Sequence, residues 1–164
     1  MNQAHFHLIV NHFPIIIPII GILILIGGFI FRAEIVKRTA FFVFILGALS
    51  TVPAFLTGEG AEEVVEHLQG VHEQGIHAHE EAAKIFAILA YLLGGLSLLA
   101  LWANWKQKSF ASIIAIAVIV FSLVVLFFAK QTGTTGGEIR HTEIRSGNIQ
   151  PLQKETNKKE QDDD

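Results

Sequence analysis

The chain has 164 residues, of which 51% are apolar and only 16% charged, and its formal net charge is −3. This composition is typical of an integral membrane protein and gives no reason to expect a nucleic-acid partner. Cysteine is absent, which excludes covalent c-type haem, cysteine-ligated iron–sulfur clusters, disulfides and thiol catalysis. Methionine occurs only at Met1, so a methionine-rich copper(I) relay is not expected either.

Four apolar runs predict four transmembrane helices. Each is close to the roughly 20 residues that a helix needs to cross a bilayer core. The first run is too long for a signal peptide, has no Lys or Arg before it and no cleavage site after it, so we expect it to stay in the mature protein. The runs cover residues 8–31, 40–56, 82–103 and 110–129.

The distribution of Lys and Arg predicts the orientation of these helices. Short loops that are rich in Lys and Arg face the cytoplasm. The segment 1–7 and the loop 57–81 contain neither residue, and the loop holds seven glutamates, so we expect both on the outer side. In a bacterial inner membrane, the N- and C-termini would then be periplasmic. The predicted cytoplasmic loops carry Arg32, Lys37 and Arg38, and Lys106 and Lys108.

On this topology all eight histidines lie on the outer side. Taken singly, each could be an ordinary interfacial or solvated side chain. Taken together, they favour a haem or metal site, because imidazole is the commonest protein ligand for such groups. The set is His5, His7 and His12, then His67, His72, His77 and His79, and finally His141.

His12 is the strongest ligand candidate in the first helix. It enters an otherwise apolar run, where ionisable groups are usually functional. Pro14 cannot donate to the carbonyl four residues earlier, so the helix is either kinked or begins near Asn11, and the ring could instead cap a freed carbonyl. His5 shares the face of His12 if the helix is continuous, whereas His7 points roughly 140° away.

His79 is the candidate from the third helix. Its helical face continues through Ala83, Phe86 and Ala90, small and aromatic positions that suit a flat ligand. His77 aligns with charged positions and is expected to be solvated. His12 and His79 have similar predicted depth, so they could ligate one group from opposite sides. Aromatic residues that could line its slot are Phe6, Phe13, Phe55, Phe86 and Phe128.

The outer loop contains a predicted helix at the membrane surface. Residues 61–68 carry an apolar stripe at helical spacing, which is typical of an interfacial helix. His67 and His72 in this loop are expected to be exposed. The glutamates keep the loop solvated, or they steer a cationic partner such as a soluble cytochrome c or another respiratory component.

The segment after the fourth helix is rich in glycine. Residues 132–137 predict a tight turn, followed by an extended stretch that would bring His141 to the outer ends of the helices. Arg140 and Arg145 could then meet haem propionates or, alternatively, lipid headgroups. We expect a membrane domain over 1–147 and a disordered charged tail over 148–164.

Two motifs resemble the ends of a small membrane family called domain of unknown function 2231. They are His12-Phe13-Pro14, within residues 5–15, and the glycine-rich segment that leads to His141. The resemblance covers the four-helix region and implies a four-helix integral membrane protein. Related domains accompany Rieske or cytochrome c modules, which implies a redox context. At its second motif this chain reads Ile139-Arg140-His141-Thr142, where the family has an aromatic residue and a His-Gly pair.

These observations predict an all-α fold, a four-transmembrane-helix bundle with an outer-face loop helix and a glycine-rich C-terminal extension. The predicted function is electron transfer through b-type haem near the outer face. The predicted ligands are His12 and His79, with His141 third and His7 or His5 as substitutes. Arg140 and Arg145 would contact the propionates.

Three alternatives to this function remain open. The same histidines could bind zinc or copper, although the sequence lacks an H-E-x-x-H motif. An open sixth position would allow sensing or catalysis, for which no catalytic residue is predicted. The protein could instead be a non-redox assembly subunit in the lipid bilayer. Gly94, Gly95 and Ser97 allow close helix packing within or between protomers, so a homodimer is one possible arrangement.

Overall fold

A computed structural model describes residues 2–145, and all their regular structure is helical. Four stretches within this range are long and apolar enough to cross a membrane: Gln3–Ile30, Glu34–Val65, Glu73–Trp105 and Ala111–Arg140. The predicted four-helix bundle is therefore confirmed; the predicted tail, 148–164, lies outside the described residues. The helices are α1 (Gln3–Val10), α2 (Phe13–Ile30), α3 (Glu34–Leu56), α4 (Gly58–Val65), α5 (Glu73–Trp105) and α6 (Ala111–Arg140), followed by a 3₁₀ turn at Thr142–Ile144.

The first crossing is kinked between α1 and α2. The backbone N–H of Asn11 donates to the carbonyl of His7, 2.9 Å away, and closes the last turn of α1. The carbonyl of His12 then accepts from Ile15 and Ile16 at 3.2 and 2.9 Å, which begins α2. Pro14 at the start of α2 has no backbone N–H to donate to the carbonyl four residues earlier. The pattern of helical hydrogen bonds is therefore interrupted here. Of the two predicted arrangements, the structure has the kinked one.

The bundle packs in the order α2, α3, α5 and α6, and α6 returns to contact α2. Small residues allow the closest approaches. A Cβ on Gly21 would lie 2.8 Å from the ring of Phe44, and one on Gly94 would lie 2.5 Å from the Cβ of Ala48. The largest side chains of the interior are apolar and at most 1% exposed: Leu25, Phe41, Phe44, Leu93, Val118 and Val125.

Three helices are longer than predicted, among them α3, which begins at Glu34 rather than at residue 40, and one prediction is wrong. The turn and extended stretch expected after residue 132 are instead the last turns of α6, which stays helical to Arg140. Glycine disfavours helix by about 1 kcal/mol per residue. Here that cost is offset by packing, since Gly133 lies against Ile15 and Gly136 against His79. On the facing helix, α5 begins at Glu73 rather than near residue 82.

The loop helix forms earlier in the chain than predicted. It covers Gly58–Val65 rather than 61–68, and only Thr57 separates it from α3. It packs on α1, where a Cβ on Gly60 would lie 2.9 Å from the side chain of Gln3. The helix therefore covers the outer part of α1, close to His7.

The antiparallel crossings separate the histidines from five of the cations, Arg32, Lys37, Arg38, Lys106 and Lys108. The start of α1, helix α4, the start of α5 and the end of α6 meet at one end of the bundle, and all eight histidines lie towards it. We call this the histidine end. The opposite, basic end is formed by the turns 31–33 and 106–110 and the helix termini beside them.

Candidate histidine site

Two histidines at the histidine end are hydrogen-bonded to other segments of the bundle. His7 of α1 and His79 of α5 are both half-buried, whereas the other six histidines are exposed. The end of α3 contacts the first ring and the end of α6 contacts the second. Four helices therefore position this pair.

The ring of His79 is fixed by α6. Its Nδ1 lies 3.1 Å from the carbonyl oxygen of Thr132 and 3.3 Å from the hydroxyl of Thr135. Because a carbonyl oxygen only accepts, Nδ1 carries the proton, and the neutral ring has its lone pair on Nε2. A Cβ on Gly136 would lie 2.9 Å from the Cε1 atom of this ring. Glycine therefore gives the imidazole the space that it occupies.

The ring of His7 is fixed in a similar way by the end of α3. Its Nδ1 lies 3.0 Å from the hydroxyl oxygen of Thr57. That hydroxyl donates its own proton to the carbonyl of Pro53 at 2.8 Å, with Ala54 at 3.2 Å as a second acceptor. Its oxygen is left to accept from Nδ1–H, so His7 also carries its lone pair on Nε2.

Two buried polar atoms without a hydrogen-bond partner lie below the pair, towards the middle of the membrane. They are Oδ1 of Asn11, one turn beyond His7, and Oγ1 of Thr132, one turn before Gly136. Leaving such an atom unsatisfied costs about 1–3 kcal/mol. Both atoms can accept a hydrogen bond, and the hydroxyl can also donate one. Each half-buried ring thus has an unsatisfied polar atom within about one helical turn of a residue beside it.

The structure half-buries His79 and His7, whereas the predicted ligand His12 lies on the surface. His12 is exposed, and its Nδ1 lies 2.9 Å from the carbonyl of Leu8, four residues earlier. This is the capping geometry that was the alternative to ligation. His5 is also exposed, and its backbone N–H donates to the side chain of Asn2 at 2.9 Å.

His141 lies on the surface at the end of α6. Its side chain is 64% exposed, and its Nδ1 lies 2.8 Å from the carboxylate of Glu143. The carboxylate of Glu143 accepts a hydrogen bond from the backbone N–H of Glu143 and another from the side chain of His141. These bonds hold the pKa of Glu143 below its ordinary value. His141 therefore has a surface carboxylate as its partner.

The two predicted arginines have different surroundings. Arg145 donates to the carbonyls of Glu138 at 2.7 Å, Ile139 at 3.0 Å and Gly70 at 3.2 Å. It therefore caps the end of α6 and ties it to the loop before α5. Arg140, in the last turn of α6, is exposed.

The remaining histidines are exposed, as expected. His67 and His77 have side chains 81% and 60% exposed and lie beside surface glutamates, and His72 is exposed as well. Within residues 2–145, no three His, Asp or Glu side chains are arranged to hold a metal ion. The candidate site thus offers two imidazoles.

Of the five phenylalanines expected to line a slot, one is buried. Phe86 is 4% exposed and packs in the core, and Phe128 is half-buried. Phe6, Phe13 and Phe55 are between 40% and 48% exposed. These three project mostly outward, towards the predicted lipid.

Sequence reasoning missed the residues that hold the two rings. Thr132, Thr135 and Gly136 share one face of a helix at spacings of three and four residues. That spacing is a recognisable signal, but only if the glycine-rich segment is interpreted as helical. Thr57 follows directly after the second apolar run and carries no comparable signal.

The chain was compared with protein families, curated proteins and solved structures. No family model, curated protein or solved structure matches it. The resemblance to domain of unknown function 2231 therefore rests on the two motifs alone, and the function has to be inferred from the chemistry of the histidine pair.

Proposed function

We propose that this membrane protein binds b-type haem between His7 and His79 and transfers electrons at the histidine end of the bundle. One observation carries the proposal. Two half-buried imidazoles at the same end of the bundle each have Nδ1 held by a hydrogen bond, which leaves Nε2 with its lone pair. Histidines that ligate metals have this arrangement, because the outer hydrogen bond fixes the tautomer and the ring orientation.

The number of ligands favours haem over zinc. A zinc site takes three or four ligands from the protein. Haem iron already has four porphyrin nitrogens, so two imidazoles complete its coordination. When bound in this way, haem supplies one-electron redox chemistry. His7 and His79 would bind and orient it, and Thr57 and Thr132 would hold the two rings.

The two rings are bordered by glycines, and an arginine is exposed nearby at the end of α6. Gly58 and Gly136 border the two rings without side chains of their own, and the Cβ positions would lie 3.9 Å and 2.9 Å from the respective Cε1 atoms. Arg140, exposed at the end of α6, is available to a propionate. Arg145 is engaged by backbone carbonyls, so we assign it a structural role instead.

The charge distribution supports a location in a bacterial inner membrane with the histidine end facing the periplasm. A soluble donor or acceptor would then approach α4 and the loop that follows it. Glu59, Glu63 and Glu66 are exposed there, and they favour a cationic partner such as a soluble cytochrome c.

The visible spectrum of the purified protein tests the proposal. Protein expressed with ample haem should show a Soret band and the sharp α and β bands of a low-spin, bis-imidazole iron. His79→Ala should abolish this low-spin spectrum. His77→Ala is the matched control, because it lies on the same helix with an exposed side chain and should leave the spectrum unchanged.

A wild-type protein without a Soret band would contradict the haem proposal. Metal analysis of the same sample would then separate the alternatives. Stoichiometric zinc or copper that is lost in His79→Ala would assign the pair to a metal ion. Protein that holds neither group would favour an assembly subunit.

A further inference from the structure

Four polar side chains form one hydrogen-bonded cluster at the basic end, far from the histidines. Lys37 Nζ lies 2.7 Å from a carboxylate oxygen of Glu34, and Asn104 donates to the other oxygen of the same carboxylate. Arg38 Nε donates to Asn104 Oδ1 at 2.6 Å. Lys37 and Asn104 are only 8% and 7% exposed. We call these residues the Arg38 cluster; it joins the start of α3 to the end of α5.

The cluster orients the guanidinium of Arg38. The bond to Asn104 uses Nε, so the two terminal Nη groups remain on the other edges of the plane. The side chain is half-buried, so part of it is accessible. A guanidinium held in this way presents donors with the geometry of a phosphate or carboxylate. The ligand that it suits is therefore an anion.

The surrounding charge at this end also favours an anion. The segments 31–38 and 104–110 contain five cations and one carboxylate, that of Glu34. Glu34 is already engaged by Lys37 and Asn104. The cations are Arg32, Lys37, Arg38, Lys106 and Lys108.

Large apolar side chains lie on the surface beside these cations. Phe31 is 79% exposed, Ile35 69% and Trp105 69%. Trp102 is 48% exposed, and the ammonium of Lys108 lies 5.6 Å from its ring centroid. Tryptophan is enriched at the level of lipid headgroups, and exposed apolar groups next to cations suit acyl chains. A small soluble anion would leave this apolar surface unused.

We propose that the Arg38 cluster binds the headgroup phosphate of one anionic phospholipid, whose acyl chains lie along the exposed apolar residues of α3 and α5. General attraction between a basic loop and an anionic membrane depends on charge alone, and each Lys or Arg contributes similarly. A built site depends in addition on the shape of Arg38 and on its hydrogen bond to Asn104. Variants that keep the net charge distinguish the two.

Native mass spectrometry of the full chain, with phosphatidylglycerol or phosphatidylcholine in detergent micelles, tests the site. We expect one phosphatidylglycerol to be retained in preference to phosphatidylcholine. Arg38→Lys and Asn104→Ala leave the charge unchanged, yet each should weaken phosphatidylglycerol binding at least about tenfold, because a hydrogen bond to a charged group is lost. Lys106→Arg is the charge-conserving control and should bind as the wild type does.

Three outcomes would overturn the proposal. In the first, both Arg38→Lys and Asn104→Ala bind phosphatidylglycerol with wild-type affinity. In the second, the wild-type protein retains phosphatidylglycerol and phosphatidylcholine equally. In the third, millimolar inorganic phosphate displaces the lipid from the wild-type protein. Circular dichroism of each variant checks that the helices are intact. Arg38→Lys keeps the test informative if Asn104→Ala does not fold.

Discussion

Replacing Gly136 by alanine should damage the histidine pair with little effect on the stability of the bundle. The new Cβ would lie 2.9 Å from Cε1 of His79 and 3.1 Å from its Nδ1, closer than real contacts allow. Because the backbone of α6 cannot yield easily, the ring must move by several tenths of an ångström. Its Nδ1 is the atom that bonds to Thr132 and Thr135, so those hydrogen bonds weaken.

Two opposing terms set the size of the effect. Alanine in place of glycine favours a helix by about 1 kcal/mol. Weakening the bonds at Nδ1 costs about 0.5–1.5 kcal/mol each. Complete loss of both bonds would therefore change the unfolding free energy by between about 0 and −2 kcal/mol, and partial weakening changes it by less. Haem affinity should fall roughly 10- to 100-fold, because it depends on the orientation of the His79 ring.

Gly133→Ala is the matched control for this prediction. Its Cβ would lie 3.7 Å from Ile15, which is an ordinary contact. The variant should therefore be more stable by about 1 kcal/mol, because alanine favours helix over glycine, and it should keep the wild-type haem affinity. Denaturant unfolding in micelles measures the first quantity, and titration with hemin followed at the Soret band measures the second. Equal stabilisation and equal haem affinity in Gly136→Ala and Gly133→Ala would refute the reasoning.

Three further predictions concern the supports of the site and the packing of the bundle. Thr57→Val should speed haem loss roughly 10- to 100-fold, because His7 loses the acceptor for Nδ1, whereas Thr57→Ser should not; transfer of haem to apomyoglobin measures both. Gly94→Ala should destabilise the bundle by about 1–3 kcal/mol, because its Cβ would lie 2.5 Å from a side chain of α3. The control Gly95→Ala meets open space and should be tolerated; unfolding of both variants in micelles measures the difference. Arg145→Ala should raise hydrogen exchange at the end of α6 and in the loop around residue 70, and an unchanged exchange rate would disprove the capping role.

Much of the fold follows from the sequence because the membrane imposes a strong constraint. Backbone polar groups must be satisfied within each crossing, so four apolar runs of sufficient length become four helices. The same periodicity put His79 on an inward face with Phe86 and Ala90, and both of these are buried. The expectation that His79 belongs to the site followed from that pattern.

The partner that we propose for His79, His7, could not be identified in the same way. On a continuous helix His5 and His12 share one face, and His7 does not. The break at Asn11 and His12 lets α1 turn independently of α2, so the face that α1 directs inward is decided by its packing on α4 and α3. Pro14 indicates that a break occurs, but not the direction in which the shorter segment turns.

The glycine-rich end of α6 is a second place where local preference and tertiary packing disagree. Glycine and threonine favour turns in an isolated chain. In the folded protein, Gly136 lets the ring of His79 reach the carbonyl of Thr132, and the hydroxyl of Thr135 donates to carbonyls of its own helix. The contact with His79 exists only once α5 is in place, so a local sequence window alone does not predict that this segment is helical.

Haem binding by His7→Ala and His12→Ala variants tests the central claim most directly. His7 is half-buried and anchored to Thr57, whereas His12 is exposed and bonded to the carbonyl of Leu8. We predict that His7→Ala loses the low-spin haem spectrum and that His12→Ala keeps both the spectrum and the wild-type affinity for hemin. Loss of the spectrum in His12→Ala, with a wild-type spectrum in His7→Ala, would contradict the pairing of His7 with His79.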